Sequence, residues 1–157
     1  MTDVVRMLAV VMVAVCLVPA GAHLAEMPHK LALSPADYMI VQRIYAGWAL
    51  FGVALVSALV LTLMLAVLEW RMRAARWLAL GAFLGLAITQ GIFWAYTYPM
   101  NRLTRNWTSM PPDIEMARWQ WEVSHAVNAG ITLLVLVLIV AAVMVGVRAD
   151  NRRDRRT

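Results

Sequence analysis

The amino-acid sequence predicts an all-α protein, a transmembrane bundle of four helices in a single domain. Three observations carry that prediction. Apolar runs at 7–22, 44–68, 77–98 and 126–147 make up most of the 157 residues, and all but the first reach the roughly 20 residues needed to cross a hydrocarbon core. Hydrophobic residues are 62% of the chain, well above the roughly 45–50% of soluble domains, so the chain belongs in lipid. Finally, Arg6, Arg71, Arg73, Arg76, Arg148, Arg152, Arg153, Arg155 and Arg156 are nine of the fourteen basic residues. They fall on one side if consecutive helices alternate direction. The positive-inside rule then puts both termini and the middle loop in the cytoplasm, with loops 28–43 and 100–125 outside the cytoplasmic (inner) membrane.

The membrane domain covers 1–148, with spans at about 4–27, 44–68, 77–98 and 119–147. The first carries Pro19 near its outer third, where a kink is expected, and Pro28 is expected to stop it. It also resembles a signal peptide: Arg6 precedes an apolar stretch that ends in Ala20-Gly21-Ala22, the small-residue cleavage pattern. Retention is the expectation, because an even number of spans satisfies the charge rule.

In the first outer loop, Ser34-Pro35-Ala36-Asp37 reads as a helix start with Ser34 as N-cap. A short amphipathic helix should lead from there into span two, with Tyr38, Gln42 and Tyr45 on one face. Gly47 and Gly52 near the outer end of span two, and Gly81-x-x-x-Gly85 in span three, allow close packing within the bundle or a homo-oligomer through these faces. Gln90, Trp94, Thr97 and Asn101 form a stripe at helical spacing, and Gln90 should face the interior. Pro111-Pro112-Asp113 precedes a helix that starts near Ile114 and runs unbroken into span four, with Arg118, Glu122, His125, Asn128 and Thr132 on one inward face. Residues 149–157 read as a basic, disordered cytoplasmic tail that touches anionic headgroups.

The pI of about 10.1 follows topology and does not indicate nucleic acid, since no aromatic residue is expected to interleave these arginines to stack bases. Cys16 is the only cysteine, which excludes an internal disulfide and a cysteine metal knuckle. No nucleotide-binding glycine loop, serine triad or Cys–His pair is present. Acid–base or redox chemistry remains.

Tyr38, Tyr45, Trp48, Trp94, Tyr96, Tyr98, Trp107, Trp119 and Trp121 map to the outer half, whereas Trp70 and Trp77 mark the inner boundary. The excess suggests an outward-facing aromatic cavity, against the plainer reading of a thick interfacial belt. His23-x-x-Glu26 and Glu122-x-x-His125 are mirror-related pairs at equal depth. His23, Glu26, Glu122 and His125 could hold one or two divalent metals, as Glu-x-x-His does in four-helix carboxylate proteins. The plainer alternative is a set of interfacial ion pairs. His29 should be solvated. As a base, His125 or His23 could take a proton from an acidic carbon or phenol, with Arg118 and Asn101 stabilising the anion.

The stretches AHLAEMPHK, YMIVQRIYAGWALFG, FWAYTYPMNRLTRNW and RWQWEVSHA resemble the small four-helix integral membrane proteins grouped with fungal anthrone oxygenases, most of whose bacterial members have no assigned function. The most specific part is Pro99-x-Asn101, Trp107, Arg118 and His125. The resemblance implies a four-helix membrane fold and, from the fungal enzymes, oxygen-dependent conversion of an anthrone to an anthraquinone without a required cofactor. It makes Asn101, Trp107, Arg118, His125 and His23 site candidates, though one scaffold can host different sites. The expected function is a membrane oxidoreductase acting on a hydrophobic aromatic or quinone-like molecule at the outer side. His125, Arg118, Asn101 and His23 would be catalytic. Trp94, Tyr98, Trp107, Tyr45, Gln90 and Trp121 would bind substrate. The alternative is a metal-, haem- or lipid-binding bundle or an accessory subunit. Catalysis would have His125 and Arg118 converge on an open pocket, whereas a subunit would bury them in mutual pairs.

Overall fold

The computed structural model describes residues 2–154, with side chains as far as residue 152. Six α-helices follow in order: α1 (Thr2–Leu31), α2 (Pro35–Val41), α3 (Phe51–Leu68), α4 (Arg73–Ile92), α5 (Tyr98–Leu103) and α6 (Ile114–Asp154). There is no strand among the described residues. Four stretches are long and apolar enough to cross a membrane, namely Thr2–Leu31, Trp48–Leu68, Arg73–Leu103 and Ile114–Arg152. They close a ring in which α1 packs on α3 and α6, and α4 packs on the same two. Arg6 at the start of α1 bonds Glu69 after α3 and Asp150 near the end of α6, so neighbouring spans are antiparallel. The bundle has a terminal end and, opposite it, a loop end.

Small residues let the spans approach, because helix association in lipid depends on van der Waals fit more than on apolar burial. Ala9, Ala58, Ala79 and Ala82 are fully buried, and Val13, Leu65, Leu86, Val135 and Ile139 fill the space between them. Gly81 and Gly85 face α6 of the same chain. A Cβ on Gly85 would overlap the Val135 side chain, and one on Gly81 would touch Leu138 Cδ1 at 3.5 Å. No such neighbour meets Gly47 or Gly52.

At the terminal end Arg6 is buried, and its guanidinium reaches Glu69 at 2.8 Å, Asp150 at 2.8 Å and Asp3 at 2.9 Å. Gly146 gives that cluster its room, since a Cβ there would stand 2.5 Å from Arg6 and 2.8 Å from Glu69. Arg6 is thus a packed ion-pair centre. Trp70 and Trp77 are exposed, and Arg71 and Arg76 stack on them, so two aromatic residues do flank the arginines of this loop, contrary to the expectation from sequence. The expected disordered tail is helical as far as Asp154. The rest of that segment, 155–157, lies outside the described residues.

Breaks in the regular helices shape the loop end. Pro28 does not stop α1, which passes through it to Leu31. A proline inside a helix removes one hydrogen bond, and neighbouring groups can compensate. Ser34 caps α2, accepting from Asp37 N at 3.2 Å and donating to the Asp37 carboxylate at 2.6 Å. Two 3₁₀ turns, Gln42–Tyr45 and Trp48–Leu50, then intervene before α3. Between them Gly47 takes φ +90°, a conformation that costs glycine nothing.

A π-helical segment, Phe93–Thr97, joins α4 to α5, with Tyr98 N bonding Phe93 O. Pro99 lacks the donor that a continuous α-helix would need at that position, and the wider turn accommodates it. Asp113 starts α6, its carboxylate accepting from Met116 N at 3.0 Å.

Candidate functional site

In the last turns of α1, His23, Glu26 and Lys30 are spaced i, i+3, i+7 and share one helix face. Opposite stand Trp121, Glu122 and His125 of α6. The stretch 38–48 closes the third side with Tyr38, Gln42, Tyr45 and Trp48. The two imidazoles meet with ring centroids 4.2 Å apart. Trp121 lies 4.1 Å from His125 and 4.9 Å from His23, while Tyr45 and Trp48 lie 4.5 Å and 5.2 Å from His23. Depth and spacing in the sequence predict that His23 and His125 meet, and they do.

Beside the imidazoles runs a buried polar network. Lys30 Nζ sits 2.6 Å from Glu122 Oε1, and Tyr38 donates to the same oxygen at 2.7 Å. Gln42 Nε2 donates to the Tyr38 hydroxyl at 2.8 Å, and the Tyr45 hydroxyl donates to Glu26. His23, Lys30, Tyr38, Gln42 and Glu122 are each no more than 5% exposed. The Lys30 ammonium also lies 4.6 Å from the ring centroids of both Tyr45 and Trp121, where the negative π faces attract it.

Burial pushes the Tyr38 phenol well above its ordinary range, and the neighbouring Glu122 charge pushes it further. Burial likewise raises Tyr45, with Glu26 adding to it. Both phenols therefore stay protonated and serve as donors. Among the described residues, four buried polar atoms in this region lack a hydrogen-bond partner: His23 Nδ1, Gln42 Oε1, Glu122 Oε2 and Lys30 Nζ, which has only its ion pair with Glu122. Such atoms cost stability unless a water or ligand satisfies them.

The remaining candidates occupy different places. Arg118 turns away from the imidazoles and caps the end of α1, donating to Leu31 O at 2.8 Å and Leu33 O at 2.9 Å and pairing with Glu115 at 2.7 Å. A guanidinium complements the carbonyl-rich end of a helix, which explains that orientation. Asn101 Oδ1 accepts from the indoles of Trp107 and Trp121 at 3.2 Å and 2.9 Å, so it positions walls and does not face the imidazoles. Trp107 is buried against Tyr38 and Trp121. It gets there through three successive left-handed residues, Arg105, Asn106 and Trp107. Backbone bonds from Asn106 N to Asn101 O and from Thr108 N to Thr104 O hold that conformation, which is costly for residues with a Cβ.

Trp94 and Tyr98 are not cavity walls. They are 60% and 38% exposed and cluster with Phe93 on the bundle surface. Gln90 is half-buried and makes no side-chain hydrogen bond among the described residues. The stripe 90, 94, 97, 101 assumes an unbroken α period, and the π turn inserts an extra residue into it. Below the turn, the inward positions are Leu86 and Thr89, not Gln90. On α6 the period holds, and Glu122 and Thr132 are buried where expected. Asn128 Nδ2 reaches Thr89 O at 3.4 Å.

His23, Glu26, Glu122 and His125 do not gather into one ligand set. Among the described residues, no group of three or more His, Cys, Asp and Glu side chains is placed to hold a metal ion. Lys30 neutralises Glu122, and Tyr45 takes Glu26. With ring centroids 4.2 Å apart, the two imidazoles leave no space for a group between them.

Lys30 is the residue that the sequence reading passes over, because Pro28 looks like a helix stop. Continuing α1 through that proline would have put it on the face of His23 and Glu26. Comparison with models of protein families, with curated proteins and with solved structures gave no match.

Proposed function

We propose that this chain is an integral membrane oxidoreductase that removes a proton from a hydrophobic phenol or activated carbon acid and passes the resulting anion to oxygen. The observation that carries the proposal is the pair of touching imidazoles, His23 and His125, enclosed by Tyr45, Trp48 and Trp121 beside unpartnered buried atoms. A neutral imidazole in such surroundings is a suitable general base. Lys30, not Arg118, is the cation available to the anion, since the Arg118 donors go to backbone carbonyls and to Glu115. The aromatic walls suit a planar substrate, in keeping with the anthrone oxygenase resemblance. For an anthrone, the ring carbon gives its proton to imidazole and its electrons to oxygen, and the products are quinone and water. Charge distribution supports a site on the outer side of the cytoplasmic membrane, with both termini inside.

A binding or accessory role is the second reading. It is favoured by Arg118 and Asn101, which are spent in structural bonds. Oxygen consumption by the purified chain with anthrone as probe separates the two. His125→Ala should lower the rate by about 10²–10⁴. Unchanged turnover in that variant would refute the base assignment, and an inactive wild-type chain would favour the binding role.

A further inference from the structure

Lys30 is the only lysine in a chain with thirteen arginines. It is also among the most buried of the basic side chains, 3% exposed like Arg6. Arg6 differs in that three carboxylates surround its guanidinium. Lys30 has one, Glu122 at 2.6 Å, and aromatic rings on its other sides. If a permanent positive charge were all that this position required, arginine would provide it, as it does at every other basic position. Lysine differs in being able to lose its proton and attack as a neutral amine. The second oxygen of Glu122 has no partner, so the carboxylate can accept that proton.

We infer that Lys30 is a nucleophilic amine that condenses with a planar, hydrophobic aldehyde or ketone to form an imine. The Lys30 ammonium transfers a proton to Glu122. The freed nitrogen lone pair attacks the carbonyl carbon, the C–N bond forms, and the carbonyl oxygen takes up the proton held by Glu122 to give a carbinolamine. Glu122 takes the second proton from the nitrogen and returns it to the hydroxyl, which leaves as water while the C=N bond closes to a protonated imine, without any change in oxidation state. Tyr45 and Trp121 supply the faces on which a flat carbonyl compound would lie. Both rings also contact His23, which puts the imidazole next to the carbon acidified by the imine. The inference shares its site with the oxidation proposed above. It depends only on the amine, and its test reads the imine itself.

The test treats the purified full-length chain in mild detergent with 2-naphthaldehyde and cyanoborohydride at pH 7, followed by peptide mapping. The N-terminal α-amine, the other primary amine beside this single lysine, is the internal reference. Stable adduct is expected on Lys30 about tenfold faster, or more, than on a free lysine side chain, as for an amine activated by desolvation. Lys30→Arg keeps the charge and should abolish that adduct, while Glu122→Gln should slow its formation with Lys30 still in place. Labelling confined to the N-terminus would overturn the inference. So would equal Lys30 labelling in native and detergent-denatured chain, since that is ordinary amine reactivity. Trapping without anthrone oxidation would retain the inference and remove the oxygen step. Oxidation without trapping would do the reverse.

Discussion

Replacing Glu122 with leucine tests whether the network around Lys30 is truly shielded from water. The substitution keeps most of the side-chain volume and removes the only carboxylate within ion-pair reach of Lys30, as well as the acceptor of the Tyr38 hydroxyl. Breaking a buried pair by deleting one partner costs about 3–5 kcal/mol, because the remaining charge is left uncompensated. The stranded Tyr38 donor adds about 1–3 kcal/mol, and attraction of the ammonium to Tyr45 and Trp121 is present with or without Glu122, so it offsets none of this. The net loss is about 4–8 kcal/mol. Adding Lys30→Met to Glu122→Leu removes the stranded charge and should recover most of it, because apolar replacement of both partners is often neutral or better. Reversible unfolding in mixed micelles, followed by helical circular dichroism, measures both variants. A loss of about 1 kcal/mol or less in the single variant would mean that the pair behaves as an exposed one and would refute the enclosed network.

The glycines of α4 should behave differently from each other. Gly85→Ala forces its Cβ into Val135 and should cost about 1–3 kcal/mol in the same unfolding assay, whereas Gly81→Ala makes an ordinary 3.5 Å contact and should be tolerated. Equal effects would contradict the packing of α4 on α6. Arg118→Ala should lose about 1.5–3 kcal/mol of stability through its charge-assisted bonds to the end of α1, with anthrone turnover per folded molecule largely kept. Loss of turnover at full stability would return Arg118 to the chemistry. A reporter that works only outside the cytoplasm should stay silent when fused after residue 157, and activity there would invert the topology.

Much of this protein can be read from its sequence because membrane spanning imposes length and composition. The four spans, the unbroken helix into α6 and the Ser34 cap follow from local chemistry, since lipid leaves no alternative to intrahelical hydrogen bonding. Equal depth and helical period predict the meeting of His23 with His125, although the same reasoning misplaces Arg118. Which way a side chain points is less legible in spans that are apolar all round, where hydrophobicity does not mark the buried face. One extra residue in the π turn at Phe93–Thr97 is enough to leave Gln90 half-buried and put Trp94 on the surface. Pro28 reads as a stop, yet the tertiary contacts of α6 carry α1 on to Leu31, and that alone brings Lys30 to Glu122. Arg118 and Glu122 share a stretch of α6 and part company because one reaches the open carbonyls ending α1 and the other a buried ammonium. The sequence by itself determined the number, length and depth of the helices, which depend on local propensity and on the bilayer. Only the tertiary structure decided which polar groups became partners, because pairing depends on helix rotation, and one proline or one extra residue changes rotation without altering hydropathy.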